Sequence, residues 1–147
     1  QDFVSMFSYP DKLTYDLVKS ASIVLKSDSN IILEAFGEYW TLYTATEGYG
    51  ELMELSGSNL PEFLSNLDML HSRIANIMPN LRPPSFITRN QTANSLELEY
   101  HSERDGLAPM CVGLLKGLAK RFKISASIKH IQKKNTENKF DVFLIEY

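Results

Sequence analysis

The sequence predicts an α+β fold: helices first, then a mostly antiparallel four-stranded sheet with one helix inserted into it. Three observations carry that prediction. Apolar residues recur at three- and four-residue spacings in the first half, strand-like runs bounded by turn residues fill the second half, and a helical stretch opened by Pro109 divides those runs into two pairs. No repeat or linker interrupts residues 1–147, which read as a single domain.

Each element has a local reason. Asp11 and Thr14 open a helix through Ala21 to Leu25, and Ser27 to Ser29 introduce a second through Trp40 toward Tyr43. Gly48-Tyr49-Gly50 breaks the chain before a short helix near Glu51 to Leu55. A strongly amphipathic helix is expected from Leu60 to Met78. Ser58 or Asn59 can cap its amides, Pro61 suits the first turn, and Glu62 favours the positive end. Leu64, Leu67, His71, Ile74 and Met78 share its apolar face. Pro79 ends it, and Arg82-Pro83-Pro84 forms a stiff connection into a strand over Phe86 to Arg89. Asn90 to Asn94 turns the chain into the run Ser95 to Arg104. Pro109 fits the first turn of a helix continuing through Val112, Leu115, Leu118 and Phe122. Strands over Ile124 to Gln132 and Lys139 to Tyr147 then flank the polar turn Lys133 to Asn138.

Composition narrows the function. With 44% hydrophobic and 11% aromatic residues, 147 residues suffice for a substantial core. A formal charge of −3 and a pI near 5.6 supply no basic field for nucleic acid. No apolar run approaches the roughly 20 residues of a membrane span, and no secretory signal is visible. The single cysteine, Cys111, cannot form an internal disulfide, which fits a reducing, cytoplasmic setting. No phosphate loop, nucleophile arrangement or catalytic carboxylate pair is present, so the chain is not expected to be an enzyme by itself.

Two features bear on chemistry. On a strand, alternate residues share a face, so Leu96, Leu98, Tyr100, Ser102 and Arg104 line up while Glu97, Glu99 and Glu103 point away. A phenol, a hydroxyl and a guanidinium in succession make a clamp for a carboxylate or phosphate; the plainer reading is a strand end whose Arg104 pairs with a neighbouring acid. His71 faces the core from its helix. It is either a hydrogen-bonded core residue or a metal ligand. The chain's three histidines and one cysteine include no pair at zinc spacing, whereas haem iron needs one protein nitrogen and brings two propionates. His101 and His130 read as surface residues, and Asp68 as an exposed helix position.

Taken together, the residues resemble the haem-nitric oxide/oxygen binding (H-NOX) domain, the sensor module of soluble guanylate cyclases and of small bacterial proteins. The family's Tyr-x-Ser-x-Arg signature stands as Tyr100-His101-Ser102-Glu103-Arg104, and its proximal histidine segment as Leu67-Asp68-Met69-Leu70-His71. Phe36-Gly37-Glu38-Tyr39-Trp40, Gly48-Tyr49-Gly50, Leu81-Arg82-Pro83-Pro84-Ser85-Phe86 and Gly106-Leu107-Ala108-Pro109-Met110 match as well. The likeness runs over essentially the whole chain. Family members usually begin with further helices ahead of the segment matched by Gln1, so an N-terminally truncated domain with a partly unroofed distal pocket is expected.

The resemblance implies haem b (iron protoporphyrin IX) between the helical part and the sheet, with His71 as axial ligand and Tyr100, Ser102 and Arg104 on the propionates. It implies that Pro84 presses on the macrocycle and that Trp40 and Met110 border the distal side. Relatives that hold oxygen use a distal tyrosine where Met110 stands here, so the implied ligands are nitric oxide and carbon monoxide. In the implied mechanism, nitric oxide weakens the bond between iron and His71, and the His71 helix shifts to bias a signalling partner of the kinase, cyclase or chemotaxis type. An oxygen-binding haem protein and a haem-free module for a small molecule or a protein are the alternatives.

Overall fold

The computed structural model describes residues 9–78 and 80–147. Its sheet comprises β1 (Ser85–Arg89), β2 (Ser95–His101), β3 (Ser127–Gln132) and β4 (Asp141–Glu146), in the order β1-β2-β4-β3 with every pairing antiparallel. The register sets Phe86 opposite Tyr100, Leu98 opposite Phe143, and Leu96 opposite Ile145. These alternate positions form one apolar face, which buries Leu96, Leu98, Phe143 and Ile145 completely against the helices.

The helices are α1 (Asp11–Leu25), α2 (Ser29–Tyr39), α3 (Ala45–Glu54), α4 (Leu60–Ser65), α5 (Leu67–Ile77) and α6 (Ala108–Arg121), with a π-helical turn at Trp40–Thr44 joining α2 to α3. Phe63, Leu64, Leu67, Leu70 and Ile74 from α4 and α5 meet Cys111, Leu115 and Leu118 from α6 in a common core with the sheet. Small residues let α2 and α6 approach closely. A Cβ on Gly113 would overlap the Glu34 carbonyl, and one on Gly37 would overlap that of Met110. Ion pairs from Lys116 to Glu34 and from Lys120 to Glu38 flank this seam. Gly113→Ala should therefore force backbone apart and cost about 1–3 kcal/mol. Urea unfolding measures this, and unchanged stability would mean the seam can open freely.

Several boundaries differ from expectation, each for a visible reason. The Leu60 to Met78 helix is two helices. Asn66 leaves the helical region at φ −100°, ψ 4°, and its side-chain amide donates to the Ser56 carbonyl at 2.9 Å. The cap at Asn59 is as expected, its side chain accepting from the Glu62 amide at 3.0 Å. Gly48-Tyr49-Gly50 does not end a helix but kinks α3, with Tyr49 at φ −138°. Strand β2 stops at His101, so Ser102 and Arg104 stand beyond it and not on its face. Ser102 Oγ accepts the Arg104 amide at 3.1 Å, a local turn that replaces the ladder. The closing strands are shorter than expected: β3 begins at Ser127, not Ile124, and β4 spans Asp141–Glu146, not Lys139 to Tyr147. Pro79 and the opening Gln1-Asp2-Phe3-Val4 lie outside the described residues. Among the described residues, no helix is long and apolar enough to cross a membrane.

Candidate functional site

His71 lies in the second turn of α5, half-buried, with its ring centroid 5.8 Å from that of Phe86 on β1. Phe86 stacks on Tyr100 at 5.4 Å, and Tyr100 reaches Phe143 at 6.4 Å, so an unbroken aromatic path joins the His71 helix to the centre of the sheet. The Nδ1 atom of His71 is buried without a hydrogen-bond partner. The Pro84 backbone is the hydrogen-bonding group that acts on the ring, short of a bond of normal geometry at this atom.

Burial is the largest influence on the His71 imidazole. It pushes the pKa below the usual 6.5, against smaller upward pulls from the Asp68 carboxylate and the Pro84 backbone. The unfolded chain thus takes up this proton at a higher pH than the folded one. Stability is expected to fall as pH drops from 6.5 through the lowered folded value. His71→Leu should remove that part of the acid slope in urea unfolding measured across the window; identical slopes would show that His71 does not titrate differently on folding. Near neutral pH the ring is uncharged and able to ligate.

Asp68, expected to be exposed, is half-buried and structural. Its carboxylate accepts from Ser85 Oγ at 2.6 Å and from the Phe86 amide at 2.7 Å, tying α5 to the start of β1. Pro84 sits half-buried directly before that junction, its backbone beside the His71 ring. A sequence signal existed: Asp68 stands one turn before His71, on the same side of the helix.

Tyr100 is 6% exposed, and burial raises its phenol pKa, while Ser102 and the Arg104 charge pull it down. Arg104 lies beyond the strand with its side chain 55% exposed, paired with Asp11 at the start of α1 at 2.9 Å. A guanidinium has five N–H donors, so this pair leaves others to spare. Trp40 and Met110 belong to the α2–α6 side: Trp40 opens the π-helical turn and packs against the core, and Met110 lies near the start of α6 with its carbonyl against Gly37.

The other two histidines are half-buried and engaged, which corrects their reading as surface residues. His101 bonds Glu99 at 2.8 Å on the outer face, where buried Glu99 also pairs with Arg89. His130 shares the inner face with Phe143 and bonds Asp141 at 2.8 Å. Cys111 is buried, and its thiol is pushed strongly up, so it packs as a neutral group.

Among the described residues, no cluster of three or more His, Cys, Asp or Glu side chains could hold a metal ion. An iron held here by one protein nitrogen would need its remaining ligands from a bound group, and a macrocycle supplies them. The buried nitrogen of His71 suits that single ligand, and the Tyr100, Ser102 and Arg104 donors suit the macrocycle's carboxylates. The residues fit haem.

Comparison with known proteins bears on the family and the fold. The Haem-NO-binding family model matches residues 1–130. Soluble guanylate cyclase gcy-32 of Caenorhabditis elegans is 38% identical over 115 residues, 77% of this chain and 17% of the relative. Gcy-34 of the same organism is 40% identical over 114 residues, with shares of 76% and 17%. The chain thus spans less than a fifth of these relatives. An H-NOX protein from S. oneidensis in the Fe(II)NO state superimposes with a TM-score of 0.88 at 20% identity, covering 99% of this chain and 80% of that one. The unliganded Fe(II) H-NOX protein from K. algicida gives 0.86 at 22% identity, covering 99% and 77%. These two likenesses bear on the fold, which is that of H-NOX proteins, while the family model and the cyclase relatives bear on descent. The chain belongs to the Haem-NO-binding family, the H-NOX family of haem-based gas sensors.

Proposed function

We propose that this chain binds haem b through His71, senses nitric oxide and carbon monoxide in the cytoplasm, and relays its state to a signalling protein rather than catalysing a reaction. The buried His71 nitrogen, which makes no hydrogen bond of normal geometry, carries the reading. When bound, the haem supplies an iron that takes a diatomic gas.

The chain's own residues do the rest. Tyr100, Ser102 and Arg104 hold the propionates, neutralising charge that is costly to bury alone. Pro84 and Trp40 shape the walls. Met110 would present no hydrogen-bond donor to a gas held there, which would disfavour oxygen, the ligand most dependent on a donor, relative to nitric oxide and carbon monoxide. Asp68 makes α5 and the start of β1 move together, so a change at His71 reaches the sheet through two short hydrogen bonds. A partner responds only if it distinguishes the two positions. The kinship with cyclases favours a cyclase among the kinase, cyclase and chemotaxis-type partners.

The test is an anaerobic absorption spectrum of the reduced, haem-reconstituted protein, followed by separate additions of nitric oxide, carbon monoxide and oxygen. A five-coordinate ferrous species that binds the first two and forms no stable oxygen complex is expected. A stable oxygen complex would overturn the selectivity, and a folded protein that takes up no haem would overturn the reading.

A further inference from the structure

We infer that Lys134 is the positioning residue of the Tyr100-Ser102-Arg104 clamp, locking the loop that carries Ser102 and Arg104 against the end of the sheet. The inference rests on the proposal that this clamp holds the haem propionates. Because β2 ends at His101, nothing in the sheet ladder fixes Ser102 to Asp105. Lys134, in the connection between β3 and β4, reaches across to it: its ammonium donates to the Ser102 carbonyl and to Asp105 Oδ1, each at 2.8 Å.

The lysine is itself held. Its backbone amide donates to Asp141 Oδ1 at 3.0 Å, and the same oxygen meets His130 Nε2 at 2.8 Å. Asp141 is 7% exposed and pairs in register with Tyr100, so Lys134 is anchored to the very position opposite the first clamp residue. On the loop's other side, Tyr15 of α1 donates its hydroxyl to the Asp105 carbonyl at 2.8 Å. The loop is thus fixed from two sides, and Lys134 supplies the charge-assisted one. The pair with Asp105 is exposed and weak. The bond to the Ser102 carbonyl is partly buried and sets the residue between Tyr100 and Arg104.

The experiment compares dissociation of haem and of haem dimethyl ester, which lacks free propionates, from the full chain and from its Lys134→Met and Lys134→Arg variants. Lys134→Met should release haem about 10-fold faster, the size expected for one charge-assisted bond, with Lys134→Arg recovering part of the loss. The ester should leave the wild type and Lys134→Met at the same rate. Without haem, amide hydrogen exchange at Glu103 to Gly106 should speed up in Lys134→Met while the thermal midpoint stays nearly constant. If Lys134→Met accelerates haem and ester release equally, or leaves both release and loop exchange unchanged while Arg104→Ala still weakens retention, the positioning role is overturned. A wild-type protein that takes up no haem would instead remove the underlying reading and this inference with it.

Discussion

Replacing His71 by glycine is expected to abolish protein ligation of the ferrous iron and to leave a cavity that added imidazole fills. The structure makes this substitution clean. The buried Nδ1 of His71 makes no hydrogen bond of normal geometry, so its removal costs at most a weak contact with the Pro84 backbone. The helical cost of glycine is about 1 kcal/mol, which a core of this size tolerates. No other histidine is free to substitute: His101 faces outward and is tied to Glu99, and His130 is tied to Asp141. The absorption spectrum of the reduced variant, with and without imidazole, reads the result directly. An unchanged five-coordinate spectrum without imidazole would show that His71 is not the ligand.

Arg104→Ala should spare the fold and loosen the haem. Charge-assisted hydrogen bonds are worth about 1.5–3 kcal/mol each, so haem release should quicken by roughly 10- to 100-fold. Fold stability should hardly change, because the Arg104–Asp11 pair is exposed on both sides and because the turn at Ser102 uses the Arg104 backbone amide, which alanine keeps. Transfer of haem to an excess of a tighter-binding apoprotein gives the rate, and urea unfolding gives the control. Equal release rates would mean that some other residue neutralises the propionates.

The two experiments probe features that were not equally visible in the sequence. His71 announced itself, since a histidine on an apolar helical stripe breaks the stripe's chemistry. Tyr100, Ser102 and Arg104 were legible as a pattern, yet the geometry inferred from it was wrong beyond His101. Alternation describes a side chain's direction only while the ladder persists, and the ladder's end depends on where β1 and β4 stop pairing with β2. The Leu60 to Met78 helix shows the same limit. Its period runs unbroken through Asn66, but the Ser56 carbonyl that draws that side chain out of the helix comes from a separate loop.

Asp68, Asp11, His130 and Lys134 mark the boundary most clearly. Each is an ordinary polar residue in sequence, and each acquires a role from a partner on another element: Ser85 and Phe86, Arg104, Asp141, and Ser102 with Asp105. Sequence by itself determined the α+β class, the order of the elements, the inward histidine and the family motif, because periodicity, capping and turn chemistry are set by neighbours within a few residues. Tertiary structure alone decided which polar groups meet, where β2 ends and what holds the clamp loop. Hydrogen bonds and ion pairs act over about 3 Å, and only the folded chain brings residues so far apart in sequence within that reach.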